Sequence, residues 1–170
     1  MKDNNFFYEY SFKTKILLYL KNDHWILINR YLKYLRKEEY FQNKNGLLNK
    51  VVGLLWSNKK NRLGNKLGFF IPPYTLKKGV TIYHHGSIII NGDARIGQNC
   101  TLHGMNCIGN NGKSFAAPII GDNVDIGVGA KIIGAVRVGN NVKIGANAVV
   151  FKDVPSNCTV VGNPMRIIQH

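Results

Sequence analysis

The sequence predicts a mainly β protein, a parallel β-helix preceded by a small α-helical segment, and three observations carry that prediction. An aliphatic residue recurs every six positions, at Ile90, Ile96, Leu102, Ile108, Ile120, Ile126, Ile132, Val138, Ile144 and Val150, with only position 114 out of step. Glycine follows many of these anchors (Gly97, Gly109, Gly121, Gly127, Gly139, Gly145), and four places after an anchor stands a small or β-branched residue such as Ala94, Cys100, Val124, Ala130, Val136, Val142 or Ala148. Composition divides the chain as well. Residues 1–66 hold 3 glycines and 14 Lys+Arg against 5 Asp+Glu, net +9; residues 67–170 hold 15 glycines and 9 against 4, net +5.

A six-residue repeat fits neither a 3.6-residue helix nor a meander with turns every 8 to 12 residues. It fits a solenoid of short strands and tight corners, each hexad forming one face and each coil stacking about 4.8 Å above the last. Anchors then point inward, and glycine serves corners where a Cβ would be strained. Three hexads per coil make a triangular prism in which residues 18 apart stack. The break between Ile108 and Ile120 becomes a loop over residues 110–118, pushed out from a corner.

Residues 1–66 carry a different period. Ile16, Leu17 and Leu20, then Trp25, Ile28, Leu32 and Leu35, then Leu47, Val51, Leu54 and Leu55 recur at three- and four-residue steps. Two or three amphipathic helices are expected, broken near Asn22 and Asp23 and between Asn43 and Gly46. Their basic faces suit solvated lysine or a peripheral contact with an anionic membrane, since Trp25, Tyr31, Tyr34 and Trp56 alternate with the basic residues. The expected division is therefore a basic helical segment, 1–66, and a β-helical domain, 67–170.

With 170 residues and 45% hydrophobic content the chain can bury a core, which excludes wholesale disorder. Cys100, Cys107 and Cys158 match neither a zinc knuckle nor a CxxC motif, and a reducing compartment suits them. The longest apolar run near the N-terminus, Ile16 to Leu20, is far short of a membrane span, so a soluble cytoplasmic protein is expected. The formal charge of +14 fits nucleic acid, anionic lipid or phosphorylated small molecules, and no nucleic-acid recognition motif is present.

The repeat, together with Gly68 to Pro73, Ile82 to Ile90, Asn99 to His103 and Val161 to Ile167, resembles the hexapeptide-repeat acyltransferases. Within them the chain is most similar to the serine O-acetyltransferase branch, in particular to shorter members associated with polysaccharide biosynthesis. The resemblance implies a left-handed β-helix, a homotrimer with sites between adjacent prisms, and acetyl-CoA as cosubstrate. It also implies His84 as catalytic general base, with His85 as the fallback. Such a base takes the acceptor hydroxyl's proton, for which imidazole suits neutral pH. His103, one 18-residue coil beyond His85, fits either an acceptor ligand or a hydrogen-bonded stacked histidine. No metal site is expected, because Ile108 stands five residues after His103 and no third ligand follows.

By the same resemblance Asn110, Val128 and Ala146, spaced 18 apart, line the pantetheine arm, and Lys152 and Arg166 meet the coenzyme's phosphates, although Lys152 also fits an ordinary surface lysine. Departures from the family pattern bear on the acceptor. The aspartate that precedes the catalytic histidine is Tyr83, the aspartate about fifteen residues upstream is Phe69, and the Asp-Arg-His of the loop is Phe115-Ala116-Ala117. These losses favour an uncharged sugar hydroxyl of a cell-surface polysaccharide, held by Tyr83, His85, His103 and Asn106, with transfer in one ternary complex and no acyl-enzyme. Serine O-acetyl transfer in cysteine biosynthesis is the alternative, and a non-catalytic β-helical scaffold or binding module is an alternative of another class.

Overall fold

A computed structural model describes residue 3 and residues 10–169. Among these, three helices precede the coils: α1 (Phe12–Leu20), α2 (His24–Gln42) and α3 (Leu47–Leu67). The Asp23 side chain accepts from Trp25 N at 3.0 Å and so starts α2 by supplying one of the acceptors its first turn lacks. Gly68, in the left-handed conformation at φ 77°, ends α3 and turns the chain into the prism.

Fourteen strands follow: β1 (Phe69–Phe70), β2 (Thr81–Ile82), β3 (Ile88–Ile90), β4 (Arg95–Ile96), β5 (Thr101–Leu102), β6 (Cys107–Gly109), β7 (Ile119–Ile120), β8 (Asp125–Ile126), β9 (Lys131–Ile133), β10 (Arg137–Val138), β11 (Lys143–Ile144), β12 (Val149–Val150), β13 (Cys158–Val161) and β14 (Arg166–Gln169). They form three faces. The first runs β1-β3-β6-β9-β12, the second β4-β7-β10, and the third β2-β5-β8-β11-β13-β14. Every pairing is parallel except β13 with β14. The predicted anchors are the core, each no more than 3% exposed from Ile90 through Val150.

One corner, between the second and third faces, shows why asparagine recurs in the repeats. Asn99, Asn123, Asn141 and Asn157 all hold positive φ, from 55° to 60°, a region asparagine tolerates better than most side chains. Their amides bond from coil to coil at 3.2, 3.0 and 2.9 Å, so the residue that makes the turn also ties it to the next.

The coil length departs from a uniform 18 residues at both ends of the prism, 19 from Phe69 to Ile88 and 16 from Ile144 to Val160, and at two places that bear on the site. Ile82 pairs with Leu102, 20 residues on, and Ile108 pairs with Ile132, 24 residues on. The second departure is the 110–118 loop, which adds six residues outside the prism. The first is a longer corner after Ile82, and it carries the histidines. Because the six-residue phase does not run back through this corner, His84 is not in an anchor slot: Ile82 and Ile88 are the buried residues and His84 is exposed.

The helices depart from expectation in which faces they bury. Ile28, Tyr31, Leu32 and Leu35 of α2 are buried, but Leu47, Leu48, Val51, Leu54 and Leu55 of α3 and Ile16, Leu17 and Leu20 of α1 are exposed. Periodicity shows that a helix has an apolar face but not whether that face meets the core. Packing of α3 on α2 uses Gly53, Gly64 and Leu67 instead, with a buried ion pair between Lys60 Nζ and Glu38 Oε2 at 2.8 Å. The aromatic residues expected to meet a membrane are also placed otherwise. Tyr31 is buried edge-on against Phe69, Tyr34 packs on Trp56, and Trp25 faces Tyr83. Aromatic rings offer large contact areas to neighbours within the fold, and these three pairs use them that way.

Candidate active site

The long corner after β2 carries Tyr83, His84 and His85 outward at the head of the prism. Tyr83 N donates to Leu102 O at 3.0 Å, which sets His103 directly opposite Tyr83, and the two rings stack with centres 4.8 Å apart. His103 therefore lies one coil beyond Tyr83 rather than beyond His85, a consequence of the 20-residue coil. Its Nε2 lies 2.7 Å from Asp125 Oδ1, an ion-pair geometry that holds the ring from the next coil.

The start of α2 closes the other side. His24 stands with its ring centre 5.8 Å from that of His84 and 5.7 Å from that of His85, and Trp25 meets Tyr83 edge-on at 5.9 Å. Asp23 approaches His24 Nδ1 at 3.5 Å. Asp23, His24, Trp25 and Asp125 all join a cluster that the sequence reading confined to residues 83–106. For the first three the available signal was a helix start, Asp-His-Trp, in which the cap residue is followed by chemistry-bearing side chains; for Asp125, an acid at a strand position held in the other coils by threonine or lysine.

Asn106 does not face an acceptor. It is 1% exposed, its Oδ1 accepts from Gly104 N at 3.0 Å and its Nδ2 donates to Gly127 O at 2.8 Å. A buried amide must satisfy its own donors and acceptors, and this one does so by holding the corner together. Phe69, at the place of the upstream aspartate, belongs to the core beside Tyr31.

Beneath His84 the same corner continues down the prism through Gly104, Val128 and Ala146 to Gly162. Val128 is exposed, its carbonyl accepts from Asn147 N at 2.9 Å, and Ala146 lies exposed one coil below. Asn110 is not in this column. Gly134 N donates to Gly109 O, so Asn110 stacks on residue 134 at a different corner, displaced by the six residues of the inserted loop. Phe115, at the tip of that loop, is 90% exposed. At the foot of the prism the Gly162, Asn163 and Pro164 turn joins β13 to β14. Met165 Sδ accepts from Phe151 N at 3.5 Å, and Lys152 and Arg166 are exposed on either side of that contact.

Among the described residues no three His, Cys, Asp or Glu side chains gather as metal ligands. Cys100 is buried, and burial pushes its thiol up to about 11, a poor starting point for a nucleophile. A cavity of about 900 Å³ lies elsewhere, between α2 and the first coil beside Arg36, Tyr40 and Tyr74, and shares no residue with the histidine cluster.

Residues 117–152 match the bacterial transferase hexapeptide family over six repeats. Six of the prism's hexads are thus similar to transferase hexapeptide repeats. The chain is 40% identical over 99 residues to serine acetyltransferase of Synechococcus elongatus, covering 57% of this chain and 41% of that protein. It is 42% identical over 123 residues to the chloroplastic serine acetyltransferase 1 of Arabidopsis thaliana, covering 70% of this chain and 38% of the relative. In structure it is similar to soybean serine acetyltransferase, with TM-score 0.70, 30% identity, and coverage of 84% of this chain and 57% of that one. The serine acetyltransferase of Brucella abortus, solved in complex with coenzyme A, gives TM-score 0.70 at 28% identity, covering 84% and 56%. The repeat chain spans about two fifths of the length of these two curated relatives.

These relatives overturn the expectation of a polysaccharide sugar as acceptor, since those named are serine acetyltransferases. The expectation rested on three motif positions that lost their charge. The fold brings other carboxylates to the same cluster, Asp23 from α2 and Asp125, which holds the His103 ring from the next coil.

Proposed function

We propose that the chain is an acetyl-CoA-dependent O-acetyltransferase that moves the acetyl group to the hydroxyl of serine. The observation that carries this reading is the position of His84: exposed, at the head of the corner that descends through Val128 and Ala146, with the rings of Tyr83, His24 and Trp25 beside it. Kinship to serine acetyltransferases supports the choice of acceptor.

In this reading His84 takes the proton of the serine hydroxyl as its oxygen attacks the thioester carbonyl. The carbon–sulfur bond breaks and the coenzyme's thiolate leaves, taking up a proton to become the thiol. One ternary complex suffices in this reading, with no acyl-enzyme: Cys100 and Cys158 are buried, and the half-buried Cys107 stands on β6, outside the corner that carries the histidines. The corner suits an extended pantetheine arm. Four coil steps of about 4.8 Å give roughly 19 Å from the histidines to the foot of the prism. Lys152 and Arg166 at the foot offer cations to phosphate groups. In the homotrimer that accompanies this reading, Asn110 on its separate corner belongs to the side of the groove offered to a neighbouring chain. A cytoplasmic setting accompanies it too, with the basic, leucine-bearing helices available to an anionic membrane surface.

Release of free thiol from acetyl-CoA with serine, with simple hexosides and with no acceptor tests the reading. Turnover with serine is expected. Turnover with hexosides alone, or a His84→Ala variant losing less than about tenfold in kcat while keeping coenzyme affinity, overturns it, since general bases contribute about 10²- to 10⁴-fold.

A further inference from the structure

We infer that His24, held by Asp23 at the start of α2, is the residue that positions His84. The inference rests on the reading of His84 as the base. A histidine that abstracts a proton through one ring nitrogen needs the other nitrogen bound, because that bond fixes both tautomer and orientation. Among the described residues neither nitrogen of His84 has a hydrogen-bond partner, and the upstream position that the family pattern gives to an orienting aspartate is the core residue Phe69.

His24 carries the complementary deficiency. Its Nε2 is buried and has no partner among the described residues, although the side chain as a whole is 31% exposed. A buried polar atom left in this state is destabilising, so its retention calls for a use. Nδ1 faces Asp23 at 3.5 Å, which assigns the ring proton to that side and leaves Nε2 with a lone pair. The His24 and His84 rings are stacked, 26° from parallel, with centres 5.8 Å apart. An N–H···N bond of about 3 Å between two imidazoles sets the centres roughly 5 Å apart and brings the ring edges together. A turn of the exposed His84 ring from this stacked position, with its centre moving by less than about an ångström, allows His84 N–H to donate to His24 Nε2, and the opposite nitrogen of His84 then faces the acceptor hydroxyl as a base. His85 is equally near His24, at 5.7 Å, but its ring is tilted by 34° and it serves as the competing partner in the test.

Replacing His24 by Phe keeps most of the ring volume and removes the orphaned nitrogen. A purely structural His24 predicts unchanged kinetics and unchanged or higher thermal stability. A positioning His24 predicts a folded protein whose kcat falls roughly 10- to 100-fold, part of what a general base contributes, with KM for serine and acetyl-CoA within about twofold. His24→Gln, whose amide oxygen accepts a hydrogen bond, is expected to recover part of kcat, and Asp23→Asn to lose an intermediate amount. Nitrogen-15 shifts of the His84 ring supply a second readout: one dominant tautomer in the native protein and a mixture in His24→Phe. Retention of kcat within threefold in a folded His24→Phe protein, equal losses for Phe and Gln, or a tautomer change at His85 rather than His84 would each overturn the proposal. Full activity in His84→Ala would instead remove the reading of His84 as base on which it rests.

Discussion

His103 Nε2 and Asp125 Oδ1 lie 2.7 Å apart across neighbouring coils, while the face of the same imidazole is stacked on Tyr83. Two constraints at right angles leave the ring no freedom to turn, and they commit Nε2 to the carboxylate. Nδ1 is the nitrogen left to a ligand.

If the acceptor is serine, this arrangement predicts how binding divides from chemistry. His103→Ala is expected to raise the KM for serine about tenfold, the size of one charge-assisted hydrogen bond of about 1.5 kcal/mol, with KM for acetyl-CoA unchanged. Asp125→Asn keeps a partner for Nε2 and is expected to lose about half that effect in free energy. Initial rates against serine, then against serinamide, check the assignment. The discrimination between the two acceptors should shrink in His103→Ala, whereas an equal loss of kcat on both would make His103 part of the proton transfer instead.

A second prediction concerns the ion pair between Lys60 and Glu38, whose side chains are 5% and 3% exposed. The contact is an ion pair rather than an aligned hydrogen bond, and Lys60 Nζ also donates to Ile71 O at 3.3 Å. Removing one member leaves a charge buried without its partner, so Lys60→Met is expected to cost about 3–5 kcal/mol in urea unfolding at neutral pH. Pairing it with Glu38→Leu should return most of that loss, because two apolar side chains of similar volume need no desolvated charge. A double variant as unstable as the single would show that the bond to Ile71 O, rather than the pair, holds α3 against the prism.

The prism was legible in the sequence because its period is six, which fits neither a helix nor a hairpin meander. Ile90 through Val150 are the buried ladder that the spacing predicts. Counting by 18 was less secure. It assigns His103 to His85 and Asn110 to Val128, and both pairings fail: the corner after Ile82 holds two extra residues, and the 110–118 loop, legible as the break at position 114, adds six residues to the coil that contains it. The helical contribution to the site was not legible at all. Asp23, His24 and Trp25 are about 60 positions from the corner they meet, and only the packing of α2 on the first coils brings them there. Charge was misread for the same reason. Three uncharged motif positions argue for an uncharged acceptor only if no distant segment supplies charge to the same place.

The third prediction follows from Cys100, buried beside the Gly121 carbonyl, to which its thiol donates at 3.2 Å. Burial raises the thiol from its usual value near 9 to about 11. Below pH 9 the folded and unfolded chains both hold the proton and the shift has no consequence. Between about pH 9 and 11 the unfolded chain releases it while the folded chain retains it, so stability falls as pH rises through that window. Cys100→Ala removes the titrating group and should flatten that part of the profile, measured as urea midpoints from pH 8 to pH 11, at the cost of a small cavity that lowers stability equally at every pH. The same burial predicts that iodoacetamide leaves Cys100 unmodified in the native protein at pH 8 and reacts with it in urea. A native Cys100 alkylated at the rate of a free thiol would mean that the corner at Gly121 opens readily, and the pH window would then vanish with it.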